Sequence, residues 1–281
     1  MNFGICPLSV VPVRSSASDK SEMISQLLFG EMVELLERKG SWGKIRCFWD
    51  NYVGWVDTKQ LKLINQQEVT SYQSNYSCSL ELFQGAMTEG HYLPITIGAT
   101  LPKFDGLKFH LNGSSYTFSG QAISPKEINP SVDLLLKIAR RYLYAPYLWG
   151  GRSPLGIDCS GFTQIVYKMI GTALPRDAYQ QVERGTLIDF VEQALPGDLA
   201  FFENRKGRIT HTGIVMPDHQ IIHASGQVRI DRIDHYGIFN NEKEKYTHKL
   251  RVIKRILPET AQYVPDREPE KVVIENQPSL F

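Results

Sequence analysis

Gly156-Ile-Asp-Cys-Ser-Gly-Phe-Thr-Gln-Ile-Val-Tyr-Lys-Met-Ile-Gly171 is the stretch from which the fold is read. Phe162, Ile165, Val166, Met169 and Ile170 recur at helical spacing on one face. Asp158 stands where an N-cap belongs and Gly171 where a C-terminal glycine belongs. The helix therefore begins at Cys159, where unpaired N–H groups and the helix dipole favour a thiolate. Gly150, Gly151, Gly156 and Gly161 crowd around that position and let a substrate backbone approach the sulfur. A buried, inert cysteine is the commoner situation for this residue type. The helix start and the glycine density together make Cys159 the candidate nucleophile.

Working outward, Ser131 caps an earlier helix carrying Leu134, Leu135, Ile138, Ala139 and Tyr142, and Pro146 ends it. Past Pro196-Gly197-Asp198 the texture turns to strands, at Leu199–Glu203, His211–Met216, Gln220–Ala224, Val228–Ile233 and Lys249–Leu257. Helices followed by an antiparallel meander give an α+β domain. A turn at Pro217-Asp218 makes a hairpin that brings His211 and His223 side by side. One imidazole then takes the thiol proton and the other orients it. His91, His110, His219, His235 and His248 read as surface or capped core residues. Zinc held by Cys159, His211 and His223 is disfavoured, because no carboxylate or second cysteine stands at a ligand spacing from them. No metal and no organic cofactor is expected.

The front half is β-rich. Val10–Val13, Ile24–Leu28, Met32–Leu36, Gly43–Phe48 and Tyr52–Val56 are strand-like runs, turns fit Gly30-Glu31 and Lys39-Gly40, and Trp42, Trp49 and Trp55 read as barrel aromatics. Residues 1–64 have the size of an SH3-like barrel, and Tyr52-Val-Gly-Trp-Val56 resembles the fourth-strand signature of bacterial SH3-like domains. Residues 65–126 continue in the same style, with strands at Leu80–Phe83, Tyr92–Ile97 and Lys108–Leu111 and a type I′ turn at Asn112-Gly113. They read as a second, divergent barrel. Residues 261–281, with three prolines and many charges, read as an extended tail.

Composition narrows the function classes. The 281 residues carry 31 Lys and Arg against 30 Asp and Glu, a net charge of +1, so neither nucleic acid nor an anionic membrane is the expected partner. No run of about 18 apolar residues is present to cross a bilayer. The N-terminus lacks a basic segment and a continuous apolar run, and the four cysteines show no CxxC spacing. A cytoplasmic protein with free thiols is expected.

Six motifs in order, Pro146-Tyr-Leu-Trp-Gly-Gly151, Asp158-Cys-Ser-Gly-Phe162, Leu174-Pro-Arg-Asp177, Pro196-Gly-Asp-Leu-Ala-Phe-Phe202, His211-Thr-Gly-Ile-Val215 and Ile222-His-Ala-Ser225, resemble the NlpC family of bacterial cell-wall cysteine peptidases. The SH3-like front makes the chain similar to the branch of γ-D-glutamyl-L-diamino-acid peptidases. The resemblance implies a papain-like domain over 127–260, with Cys159 as nucleophile, His211 as base and His223 as the orienting third member. It implies that Tyr147 helps hold the oxyanion, and that Asp158 and Ser160 bind the substrate. Arg176 and Asp177 read as structural or rim-forming residues, and Asp198 as a turn residue. Glu22 and Tyr52 of the first barrel are the candidates for recognising a free N-terminal amine. The family often has glycine where Tyr144 stands, so the approach to the loop is expected to be reshaped.

The expected activity is hydrolysis of the γ-D-Glu to L-Lys or meso-diaminopimelate bond in small murein peptides with a free N-terminal L-Ala. The alternatives are a papain-like acyltransferase or amidase, or a cell-wall-binding module with a vestigial peptidase domain.

Overall fold

The computed structural model describes residues 2–258 and 261. The expected tail, 261–281, lies outside the described residues apart from Ala261, which is buried.

The first unit is one antiparallel sheet of seven strands, ordered Met23–Leu28, Val10–Arg14, Val53–Asp57, Trp42–Cys47, Met32–Lys39, Phe3–Ile5 and Lys62–Ile64. Its core is aliphatic: Val11, Val13, Leu27, Val33, Ile45, Val56 and Leu61 pack with Cys6 and Cys47. Trp42, Trp49 and Trp55 are only half-buried, so they line the outside of this core rather than fill it.

Helix α1, Gln66–Ser74, follows. The β-style reading of this region misses it. Only Val69 and Tyr72 of the helix are buried, which leaves little hydrophobic periodicity to detect. The signal present is Asn65-x-x-Glu68, a capping box in which the Glu68 N–H donates to Asn65 Oδ1 at 2.9 Å and the Asn65 N–H to Glu68 Oε2 at 2.8 Å. Beyond it lie a four-stranded sheet (His91–Thr96, Phe83–Thr88, Ser114–Thr117, Lys108–Leu111) and a three-stranded sheet (Thr100–Pro102, Tyr76–Ser79, Ala122–Ile123). Residues 80–82 connect two strands rather than open one. Asn112 and Gly113 have φ of 49° and 82°, the double left-handed conformation of a type I′ turn.

Helix α2, Val132–Arg141, is capped by Ser131 and buries Leu135, Leu136, Ile138 and Ala139 against helix α3, Cys159–Met169, all of whose residues are buried. A one-turn helix, α4, Ala178–Gln181, follows. The remaining strands form an antiparallel sheet in the order Thr186–Ile188, Lys245–Arg255, Leu199–Glu203, Ile209–Met216, Gln220–Ser225, Gln227–Asp234 and Gly237–Asn240. Gly237–Asn240 pairs back onto Lys245–Arg255, so six of these strands close into a barrel rather than an open meander. Closure removes the exposed edge a meander would leave. The core under α2 and α3 also takes in Leu28, Cys78 and Ile97, so side chains from all three parts of the chain share one packed interior.

Candidate active site

Asp158 is the N-cap of α3 and accepts the Gly161 N–H at 2.7 Å, which fixes Cys159 as the first helical residue. The same carboxylate accepts the Gly150 N–H at 2.8 Å and bonds the Arg176 guanidinium at 2.6 and 3.0 Å, while Arg176 Nη1 also donates to Ser160 Oγ at 3.0 Å. Asp158, Ser160 and Arg176 are all buried. Asp158 thus ties the glycine loop to the helix start, and Arg176 is the countercharge that allows this carboxylate to be buried.

The barrel supplies the imidazoles through strand parity. Gly213 lies directly across from His223 in the antiparallel ladder, and His211 is two residues before Gly213, hence on the same face. A Cβ at Gly213 would come within 2.8 Å of the His223 Cβ, so glycine here makes room for the diagonal pair. His211 Nε2 and His223 Nδ1 are 2.8 Å apart, and both residues are buried. Across the next strand pair Arg229 faces His223, which puts Asp231 on the same face. Asp231 Oδ2 lies 3.0 Å from His223 Nε2, and Arg229 grips the carboxylate with two bonds at 2.7 and 3.0 Å. Burial opposes ionisation of Asp231, but His223 and Arg229 outweigh it and hold its carboxyl below the ordinary range.

This chain dictates tautomers. The ionised Asp231 only accepts, so His223 carries its proton on Nε2 and presents a bare Nδ1. His211 must then donate from Nε2, which leaves the lone pair on its Nδ1. That nitrogen is the one left for a thiol. Cys159 is close by: the N–H of Thr212, the residue after His211, lies against the sulfur, and Tyr147 interacts with it electrostatically.

The protonation states differ from those expected at a helix start. Burial first, then the Asp158 charge, push the Cys159 thiol up to about 12. Burial, with His223 and His248 adding to it, holds the His211 imidazole well below its ordinary value. The N-cap carboxylate opposes the dipole, so burial and the Asp158 charge favour the neutral thiol, as burial favours the neutral imidazole.

His248 is not the bland surface histidine the sequence suggests. Its ring stacks on His211 with centroids 4.1 Å apart and planes at 25°. Burial lowers its pKa to about 4. Tyr147 is half-buried, and burial pushes its hydroxyl up to about 12, so it is a neutral donor. Tyr144 takes a glycine-type backbone conformation, φ 70°, and turns its ring to solvent. The departure at that position adds a side chain at the mouth of the loop.

The first barrel reaches the site at two points. Glu22 Oε1 accepts the Trp149 indole N–H at 2.7 Å, two residues from Tyr147, and the Tyr52 hydroxyl donates to Asp177 at 3.1 Å, next to Arg176. Gln26 holds the same loop by accepting the Arg152 N–H at 2.7 Å. Sequence reasoning missed Asp231 and His248; the hairpin turn at Gly226 sets the register that places Asp231 near His223, and the strand containing Lys249 starts early enough, at Lys245, to include His248.

Residues 144–250 match the NlpC/P60 family, and residues 13–61 match the bacterial dipeptidyl-peptidase SH3 domain. The chain is 28% identical over 233 residues to the gamma-D-glutamyl-L-lysine dipeptidyl-peptidase of Bacillus cereus, covering 74% of this chain and 68% of that protein. It is 27% identical over 223 residues to the protein of the same name from Bacillus subtilis, covering 71% of each. A crystal structure of an NlpC/P60 family protein from Bacillus cereus shares the fold, with a TM-score of 0.78 over 91% of this chain and 100% of that one at 22% identity.

Proposed function

We propose, on the premise that the chain is an NlpC/P60 cysteine peptidase with an N-terminal SH3 domain, that it hydrolyses the γ-D-Glu to L-Lys or meso-diaminopimelate bond of murein peptides bearing a free N-terminal L-Ala. The observation that carries this reading is that the first barrel reaches the site at two points, through Glu22 on Trp149 of the active-site loop and Tyr52 on Asp177 beside Arg176. A peptidase built to cut cross-linked wall needs an open cleft. One that accepts only short peptides gains from a wall bearing acceptors for an amine.

In the proposed mechanism Cys159 transfers its proton to His211 Nδ1 as the sulfur attacks the carbonyl. The Cys159 N–H and the Tyr147 hydroxyl hold the oxyanion, and His211 returns the proton to the leaving amine. Water, deprotonated by His211, then attacks the thioester and releases the acyl group as the acid while the proton returns to the Cys159 sulfur. His223 keeps His211 in the basic tautomer. The Asp158 carboxylate is already engaged by Arg176, so Asp158 and Ser160 act on the substrate as a pre-ordered unit. The proposal extends to recycling of released peptides in the cytoplasm, to a divergent SH3-like barrel over 65–126, and to domain limits of 1–64, 65–126 and 127–260.

The test is to incubate the full chain with L-Ala-γ-D-Glu-L-Lys and its diaminopimelate analogue and identify products by mass spectrometry. L-Ala-γ-D-Glu and the free diamino acid are expected. Joining of the acyl group to an acceptor other than water would make it a transferase. N-acetylation of the substrate's L-Ala should cut kcat/KM by about 100-fold, the scale at which a site built for a polar group rejects its absence. Glu22→Ala and Tyr52→Phe should narrow that gap. Equal cleavage of acetylated and free tripeptide would leave the barrel a purely structural part.

Asp231→Asn is expected to lower kcat by about 10² to 10⁴, with KM little changed, because the new amide can donate to His223 Nε2 and reverse every proton in the chain. His211 would then carry its proton on Nδ1, the wrong nitrogen for the thiol. A kcat within threefold of the wild type, measured across pH 6–9, would remove Asp231 from the relay.

A further inference from the structure

One ring nitrogen each of His211, His223 and His248 lies within 4.8 Å of the others, and of the three only His248 has no part in peptide hydrolysis as derived above. Three imidazoles this close can supply the donor set of a tetrahedral zinc centre that keeps its fourth position open. The surroundings match as well. Metal-ligating histidines hold their far nitrogen on an acceptor. His223 Nε2 is held by Asp231 at 3.0 Å, and Asp231 is itself fixed by Arg229. His248 Nδ1 lies 2.9 Å from the Thr247 hydroxyl, which donates to the Ile238 carbonyl at 3.4 Å and so accepts from the ring. That leaves His248 Nε2 bare. A groove of about 750 Å³ lined by Glu203, Tyr236, Tyr246, His248 and Lys249 borders the third histidine.

We infer that His211, His223 and His248 form an inhibitory site for a zinc ion, which binds in place of the proton shared between His211 and His223. With zinc–nitrogen bonds of about 2.0–2.1 Å, tetrahedral ligands sit about 3.3 Å apart. The His211–His223 pair must open from 2.8 Å, and the His248 ring must turn out of its stack on His211 so that its nitrogen faces the ion. The proton balance is simple. In the resting site His211 bears its proton on Nε2. To ligate zinc through Nε2, that proton moves to Nδ1, and no proton is lost. Zinc therefore locks His211 in the tautomer that has no lone pair for the Cys159 thiol. The ion is not a cofactor here; it stops the base. The inhibition rests on the hydrolytic reading above, whereas the binding does not.

Two titrations of the full chain separate these. In calorimetry with zinc chloride, Cys159→Ala should bind one zinc with an affinity close to that of the wild type. Cys159→Ala with His248→Gln should bind at least tenfold more weakly, with an unchanged far-ultraviolet circular dichroism spectrum. His248→Phe, which keeps an aromatic ring on His211 and removes the ligand nitrogens, serves as the second variant should glutamine disturb the stacking. Cobalt(II) in the Cys159→Ala chain should show visible bands of tetrahedral nitrogen coordination without a thiolate charge-transfer band. In the tripeptide assay zinc should inhibit the wild type reversibly, with relief by EDTA, and His248→Gln should need at least tenfold more zinc. Loss of binding in Cys159→Ala would place the metal on the thiol and overturn the site. Unchanged affinity in the His248 variants, or no one-to-one binding at all, would overturn it too. A chain that binds zinc in this pattern but cleaves no tripeptide would sink the hydrolytic reading and leave the metal site standing.

Discussion

Cys159→Ala is expected to reduce tripeptide turnover by about four to six orders of magnitude while moving the unfolding midpoint little. Removal of a nucleophile costs on the order of 10⁶ in kcat when the remaining groups have no other route to a covalent intermediate. The three other cysteines provide the internal control. Cys6, Cys47 and Cys78 are buried, and burial raises their thiols, to about 12 for Cys6 and about 11 for Cys78. Cys159 is raised to about 12 as well, so acidity does not single it out. Position does: it is the first residue of α3, it lies against the Thr212 N–H beside His211, and Tyr147 is its neighbour. Residual activity above about a tenth of wild type would remove Cys159 from the nucleophile's role, and equal losses in Cys47→Ala would show that the assay reads folding.

What the sequence discloses and what it hides divide along chain separation. The Asp158 cap, the α3 face and the strands bearing His211 and His223 are local patterns, so capping chemistry and residue spacing suffice to read them. Asp231 needs the register of a neighbouring strand. His248 needs barrel closure, which brings the last strand against the strand Leu199–Glu203 and thereby beside His211. The thiol's state needs burial, which no local pattern reports. The tryptophans mislead because large aromatics suggest a core, whereas Trp49 sits at a seam where Lys168 lies 5.5 Å from its ring. Longest in range is Glu31. It reads as half of a turn with glycine, and its partners lie 121 and 137 residues away.

Glu31→Ala is therefore expected to destabilise the whole chain by about 3–5 kcal/mol, the cost of removing one partner from a buried ionic cluster. Glu31 accepts from Arg152 at 2.7 and 2.9 Å, from Lys168 at 2.7 Å and from the Leu28 N–H at 3.0 Å, and Lys168 also donates to the Gly98 carbonyl at 3.2 Å. One carboxylate from the first barrel, one carbonyl from the middle unit and two cations from the catalytic part thus meet out of water. Alanine would strand Arg152 and Lys168, which are 3% and 2% exposed. A typical domain has only about 5–15 kcal/mol in total. Burial alone would raise the Glu31 carboxyl, but the two cations outweigh it and hold the group down, from 4.5 to about 2. The sign follows from that direction. The stabilisation is fully present above pH 4.5 and is lost as pH falls through that value towards 2, a span of about 3 kcal/mol. Urea unfolding of wild type and Glu31→Gln at pH 7, 4 and 3 measures it: the two stabilities should converge on acidification because the wild type declines. A Glu31→Ala shift below about 1 kcal/mol at pH 7 would show that water or another acid takes over the two cations. Because Arg152 directly follows the Gly150-Gly151 loop that Asp158 clamps, the loss should also appear in function: Glu31→Ala should lose kcat at a temperature where it is still mostly folded, as the loop holding Tyr147 slackens before the core does.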